Sequence, residues 1–137
     1  MLQFGKYKIK IVQNERALYS FAELKEFFDW EVKRVYFIQE CKEPTGQHCH
    51  KIEEEFFIMA KGSCTAVIDR GNGKEDVPLA NIGDAIFVGN YVWHGFKDFS
   101  EDALLLALSS TNYSADRSDY IEDYTEYQNI IAQKKEE

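Results

Sequence analysis

The chain of 137 residues contains three histidines, His48, His50 and His94, and they fall in two short segments, Gly46 to Glu55 and Gly83 to His94. Imidazole both takes and gives a proton near neutral pH, and it is also the commonest metal ligand. Side chains alternate along a strand, so His48 and His50 project from one face if their segment is extended. Two kinds of chemistry are open to such a pair. One is proton transfer, with one ring as base and the other as shuttle. The other is ligation of a cation, for which His48, His50, a glutamate and His94 form a set that suits Fe, Mn, Zn or Ni. The glutamate is Glu54 if the strand stays regular past His50, and Glu55 if a bulge intervenes. The remaining acids of Glu53 to Glu55 read as a solvated edge.

Other residues qualify by type and parity. Arg34 and Tyr36 share one face of the run from Trp30 to Gln39, whose β-branched and aromatic content is that of a strand. A tyrosine hydroxyl there is a donor for a developing oxyanion, although an amphipathic packing role is the plainer alternative. Arg34 and Lys51 are candidate cations for an anionic ligand, unless they face solvent. Glu54, Trp93 and His94 are candidate wall residues of the same site.

The elements that must position these groups are short. Lys8 to Val12 alternates as a first strand, and a polar turn at Gln13 to Arg16 leads to a second over Ala17 to Phe21. Phe21 to Trp30 carries aromatics at near-helical spacing, and helix and strand-plus-loop both remain open. Cys41 to Gly46 reads as a turn into the histidine strand. Strands are predicted over Ser63 to Asp69, Glu75 to Ala80 and Asp84 to Val88, with Arg70 to Lys74 a hairpin loop. Gly89 to Val92 turns the chain into the strand of Trp93 and His94. Ala103 to Ser109 reads as a buried strand, though periodicity alone also allows helix. After a polar loop at Thr111 to Arg117, Ser118 is the predicted cap of a short C-terminal helix with Ile121, Tyr124, Tyr127 and Ile131 as its stripe. Residues 132–137 are expected to fray.

Composition narrows the classes. The length suits one domain, residues 1–137, with a core large enough to need no metal or disulfide staple. A formal charge of −8 and a sequence pI near 4.9 argue against a nucleic-acid or anionic-membrane surface. No apolar run approaches the ~18 residues that span a bilayer. Three cysteines without CxxC spacing, and an N-terminus lacking a secretion-type apolar run, indicate a reducing, cytoplasmic setting. Many short strands with almost no helix before residue 118 predict an all-β sandwich or barrel, of which the double-sheet jelly roll is one form.

Gly46 to Gly62 resembles the first cupin motif, a glycine leading into His-x-His, a glutamate and a closing glycine, and Gly83 to His94 resembles the second. A narrower resemblance covers nearly the whole chain. Lys33-Arg34-Val35-Tyr36, Gly46-x-His48-x-His50-Lys51, Gly62-Ser63-Cys64, Val92-Trp93-His94, Asp98-Phe99-Ser100 and Asp119-Tyr120-Ile121-x-Asp123-Tyr124 together resemble the nucleotide-sugar 3,4-ketoisomerases. These enzymes act on dTDP-4-keto-6-deoxyhexoses in deoxy-amino-sugar and surface-polysaccharide biosynthesis. Three positions depart from the family's pattern. Thr45 replaces the arginine before Gly46, Glu122 replaces an arginine near the end, and Asn14-Glu15-Arg16-Ala17-Leu18 lacks the glycine and leading aspartate of an early signature.

The resemblance implies a cupin jelly roll, or double-stranded β-helix, in a homodimer whose N-terminal strand is swapped. It also implies a nucleotide-sugar substrate, no cofactor and no essential metal. Moving a ketone from C4 to C3 removes the C3 proton, passes through an enediolate and protonates C4, so His48 and His50 are expected to act as base and shuttle with Tyr36 as donor. A metal-dependent cupin using His48, His50, Glu54 and His94 is the alternative enzyme, and a nucleotide-sugar-binding module without turnover is the non-enzymatic one.

Overall fold

A computed structural model describes residues 2–136. Its strands are β1 (Phe4–Lys8), β2 (Lys10–Gln13), β3 (Leu18–Phe21), β4 (Arg34–Gln39), β5 (Thr45–His50), β6 (Glu55–Lys61), β7 (Cys64–Asp69), β8 (Lys74–Leu79), β9 (Asp84–Val88), β10 (Trp93–Lys97), β11 (Leu104–Ser109) and β12 (Tyr120–Ile121), followed by helix α1 (Tyr124–Glu136). Two five-stranded antiparallel sheets, β1-β9-β6-β11-β4 and β12-β5-β10-β7-β8, face each other as a jelly roll, while β2 and β3 form a separate two-stranded ribbon.

Alternation explains the layers. Inward residues of both sheets, among them Phe57, Met59, Ile68, Leu79, Ile86, Val88, Phe96 and Leu105, make the core between them. Full burial of each large side chain there contributes roughly 1.5–3 kcal/mol. The reverse face of the first sheet is covered by the 3₁₀ turn Leu24–Glu26 and the aromatics around it, where Phe28 stacks on Trp30 and Phe27 on Phe56. The reverse face of the second is covered by α1, where Tyr127 and Ile131 pack on Cys49, Trp93 and Ile121. The stretch Phe21 to Trp30, open between helix and loop in the sequence, is therefore a lid of aromatics around a single short turn.

Several boundaries differ from expectation for local reasons. The predicted first strand is two strands broken at Ile9, which is buried and donates its amide to the Gly83 carbonyl at 2.9 Å. The strand expected from Trp30 starts at Arg34, and Thr45 and Gly46, expected in a turn, already pair with β10. Ser118 does not cap α1. Tyr120 and Ile121 pair with His50 and Cys49, so the helix starts later, and Asp123 Oδ1 accepts from the Glu126 amide at 2.9 Å as its cap. Of residues 132–137, expected to fray, 132–136 continue that helix, and 137 lies outside the described residues.

Candidate active site

Four elements converge at one end of the barrel. β5 supplies His48 and His50, β10 supplies His94, β6 opens on Glu55, and β4 presents Arg34 and Tyr36 from its inner face. The approach of β5 to β10 depends on glycine. A Cβ on Gly95 would lie 2.5 Å from Gln47 Cγ and 2.7 Å from the Thr45 carbonyl, and one on Gly46, at φ +81, would lie 2.8 Å from Gly95 Cα. This closeness puts His48 opposite His94 in register, with ring centroids 4.8 Å apart. Beside them is a cavity of about 410 Å³, lined also by Thr45, Phe57, Phe96, Tyr113, Arg117 and Tyr120.

Glu55, not Glu54, completes the cluster. β5 ends at His50 and residues 51–54 cross to the other sheet through a bend, so the alternation that would place Glu54 beside the histidines is broken. Glu54 instead accepts from Trp30 Nε1 at 2.9 Å on the outer face. Glu55 is 1% exposed, with Oε1 lying 3.2 Å from His50 Nε2 and 3.3 Å from His94 Nε2, while Oε2 accepts the Tyr36 hydroxyl hydrogen. Two further sequence expectations are corrected. Trp93 has the opposite parity to His94, packs under α1 on Tyr124 and Tyr127 and donates to Gln47 at 2.8 Å, so it stands outside the cavity. Lys51 is exposed in the bend and is not among the lining residues.

The structure adds residues that the sequence reading passed over. Glu53 is buried and accepts from Arg34 at 2.9 Å and from the Thr111 hydroxyl at 2.8 Å. Asp119 accepts from the Ile52 amide at 2.6 Å and lies 3.2 Å from His50 Nδ1. The ring of Tyr120 packs 4.5 Å from that of His50 and 5.0 Å from that of His48. Position 119–120 lay inside the quoted motif Asp-Tyr-Ile, which was the available signal. Glu53 carried none beyond belonging to an acidic run.

These surroundings push the imidazoles apart. Burial, then the neighbouring His94 and His50, drives the His48 pKa down to about 3, leaving a neutral ring facing the cavity. For His50, burial also disfavours the charged form, but Glu55 outweighs it with help from Glu53 and Asp119, and its pKa is raised. Burial likewise opposes ionisation of Glu55, yet His50 and His94 hold it well below the usual carboxylate range. Burial and the adjacent Glu55 raise the pKa of Tyr36, which stays a phenol. A base and an acid separated by environment are what proton transfer requires.

The same groups fit a cation. His48, His50, Glu55 and His94 bring one ligand atom each to within 4.8 Å of one another. His94 Nδ1 is 2.9 Å from the Val92 carbonyl, which can only accept, so the Nε2 of a neutral ring turns its lone pair to Glu55. Glu55 Oε1 is buried without an aligned donor. This N/N/O/N set suits a divalent ion.

Fold and cluster together define a cupin-type barrel with a buried histidine–carboxylate cluster beside a cavity at one end. The chain belongs to the family described as "FdtA: WxcM-like, C-terminal", whose model matches residues 4–132. It is 35% identical over 125 residues to the TDP-4-oxo-6-deoxy-alpha-D-glucose-3,4-oxoisomerase of Aneurinibacillus thermoaerophilus, covering 90% of this chain and 88% of that one. Among solved structures, a 3,4-ketoisomerase from Helicobacter canadensis superposes with a TM-score of 0.84 at 30% identity, over 96% of this chain and 99% of that chain. The sugar 3,4-ketoisomerase from Thermoanaerobacterium thermosaccharolyticum in complex with TDP superposes at 0.85 with 25% identity, over 96% of each chain.

Proposed function

We propose that the protein is a 3,4-ketoisomerase of a TDP-4-keto-6-deoxyhexose, serving deoxysugar biosynthesis. The observation that carries this reading is the pair His48 and His50 on one cavity wall, the first held neutral and the second with its pKa raised by the carboxylates around it. His48 takes the C3 proton as the C–H electron pair becomes the C3–C4 double bond of an enediolate. His50 gives a proton to the C4 oxygen, then recovers one from the C3 hydroxyl as the C3 carbonyl forms. His48, whose acquired proton exchanges with solvent, delivers a proton to C4, so atoms and charge balance. Tyr36, expected to donate to the oxyanion, gives its hydrogen to Glu55 instead, and it serves the oxyanion only by exchanging that bond.

A second reading is favoured by the four clustered donors. A divalent ion held by His48, His50, Glu55 and His94 would supply Lewis-acid polarisation of the sugar carbonyl. None of the proton movements above is routed through it. Following the C3 proton of the substrate in D₂O by NMR tests the isomerase reading, and repeating the assay with and without chelator separates the two.

The working unit in this proposal is a homodimer. Ribbon β2–β3 pairs only within itself and exposes Ile11, Val12, Leu18, Tyr19 and Phe21, while β4 is the open edge of its sheet and exposes Val35 and Phe37. A second copy of this chain, exchanging the ribbon, would cover both. Three unpaired cysteines, Cys41, Cys49 and Cys64, fit a reducing compartment, which supports a cytoplasmic setting. No described helix is long and apolar enough to cross a membrane.

A further inference from the structure

We infer that Arg117, in the loop between β11 and β12, is the residue that binds the diphosphate of the substrate, with Tyr113 beside it at the nucleoside end. This assignment rests on the isomerase reading and deepens it.

A nucleoside diphosphate sugar brings at least two negative charges into a protein whose own formal charge is −8, so the cations must be concentrated at the site. Among the described residues, the guanidinium groups lining the cavity are Arg34 and Arg117, and Thr45 makes the wall uncharged where β5 enters. Arg34 is already committed. Its Nη2 donates to Glu53 at 2.9 Å, the pair is 21% and 4% exposed, and Glu53 is further held by Thr111. Exchanging that partner for a phosphate would leave a buried carboxylate unpaired, which is costly.

Arg117 is differently placed. Its Nε and one Nη both donate to a single oxygen of Glu122, and the two side chains are 43% and 54% exposed. An exposed pair of this kind contributes little and is readily exchanged, whereas a guanidinium fork on phosphate oxygens makes strong, charge-assisted bonds. The loop is built to present it. Arg117 sits at φ +57, a conformation disfavoured for any residue with a Cβ, with its amide donating to the Ser114 carbonyl and Asp116 accepting from Ser114 and Ser118.

Position agrees with chemistry. The Arg117 guanidinium lies 3.9 Å over the ring of Tyr120, whose other neighbours are His48 and His50. One ring therefore separates the cation from the proton-transferring imidazoles, much as one hexose ring separates C3 and C4 from the phosphate on C1. Tyr113 lines the same cavity, is 55% exposed and has the Arg34 guanidinium 5.8 Å from its ring, and it is the aromatic assigned to the pyrimidine.

Calorimetric titration with TDP and with thymidine, on the wild type, Arg117→Ala and Arg117→Ala/Glu122→Ala, tests this, together with steady-state kinetics. In both variants TDP affinity is expected to fall about tenfold or more and KM to rise with kcat nearly unchanged, while thymidine affinity stays within about twofold, since a neutral nucleoside has no phosphate for the guanidinium to hold. Unaltered TDP binding in Arg117→Ala would overturn the assignment. So would equal loss of thymidine binding, which marks a structural role, or wild-type affinity in the double variant, which marks repulsion by an unmasked Glu122. Wild-type protein that neither binds TDP nor isomerises would overturn the functional reading itself, and this assignment with it.

Discussion

His94 turns one nitrogen to the Val92 carbonyl at 2.9 Å and the other to Glu55 Oε1 at 3.3 Å. With Nδ1–H spent on the Val92 carbonyl, Nε2 is the His94 nitrogen that faces the carboxylate. Glu55 also takes the Tyr36 hydrogen and lies 3.2 Å from His50, which makes this one buried carboxylate the common partner of three site residues.

Glu55→Gln removes the charge that raises the His50 pKa while preserving shape. Turnover is expected to fall by about 10²-fold or more, as for loss of an acid–base group. Glu54→Gln, on the outer face against Trp30, is expected to leave turnover within about threefold, as for substitutions away from a site. Steady-state kinetics on the two variants, with circular dichroism as a folding control, checks the assignment.

The pH–rate profile follows from the directions of the shifts. In the proposed mechanism His48 acts as the neutral ring, and with a pKa near 3 it remains neutral throughout weakly acidic and neutral pH. There His50 acts as the protonated ring, and its raised pKa is expected to move the alkaline limb above the ordinary histidine value of about 6.5. Asp119→Asn withdraws one anion facing His50 and is expected to shift that limb to lower pH. The linked stabilities have opposite signs. The contribution of His50 is complete below about pH 6.5 and is lost as pH rises through its higher folded pKa, whereas that of His48 is complete above about 6.5 and declines toward 3.

Gly46 and Gly95 set the distance between the two histidine strands. Gly46→Ala adds a Cβ against Gly95 Cα at 2.8 Å and the His94 carbonyl at 2.9 Å, in a backbone conformation at φ +81. Destabilisation of roughly 2 kcal/mol or more is expected, read as a lowered midpoint in urea. Gly73→Ala provides a contrast, because its positive φ carries the strain with nothing within 4 Å, so its cost should be smaller.

The dimer is open to a direct check. Phe37→Lys places a charge on the exposed edge of β4, where the ribbon of a second copy is proposed to dock. Sedimentation should show a dimer for the wild type and a monomer for the variant, and wild-type monomer at micromolar concentration would contradict the assembly.

Much of the site was legible in sequence because strand alternation is a local rule. Arg34 with Tyr36, and His48 with His50, fell on common faces as expected. The glutamate did not, because the bend at residues 51–54 resets parity, and its occurrence depends on the chain crossing between sheets. Trp93 was misplaced by adjacency to His94, since neighbours on a strand face opposite ways. The helix start was missed because pairing of Tyr120 and Ile121 with β5 is a long-range event that overrides a local capping signal. Asp119 and Arg117 come from the loop between β11 and β12, and Tyr120 from the first residue of β12, all placed by long-range pairing that no local pattern shows.

NMR of TDP-4-keto-6-deoxyglucose in D₂O with chelator-treated protein tests most directly whether His48 and His50 move a proton between C3 and C4. Conversion to the 3-keto sugar is expected, with deuterium entering C4 or replacing hydrogen at C3, and with exchange abolished in His48→Asn. An unchanged spectrum from folded protein that binds TDP, or activity that returns only with an added divalent ion, would contradict that transfer.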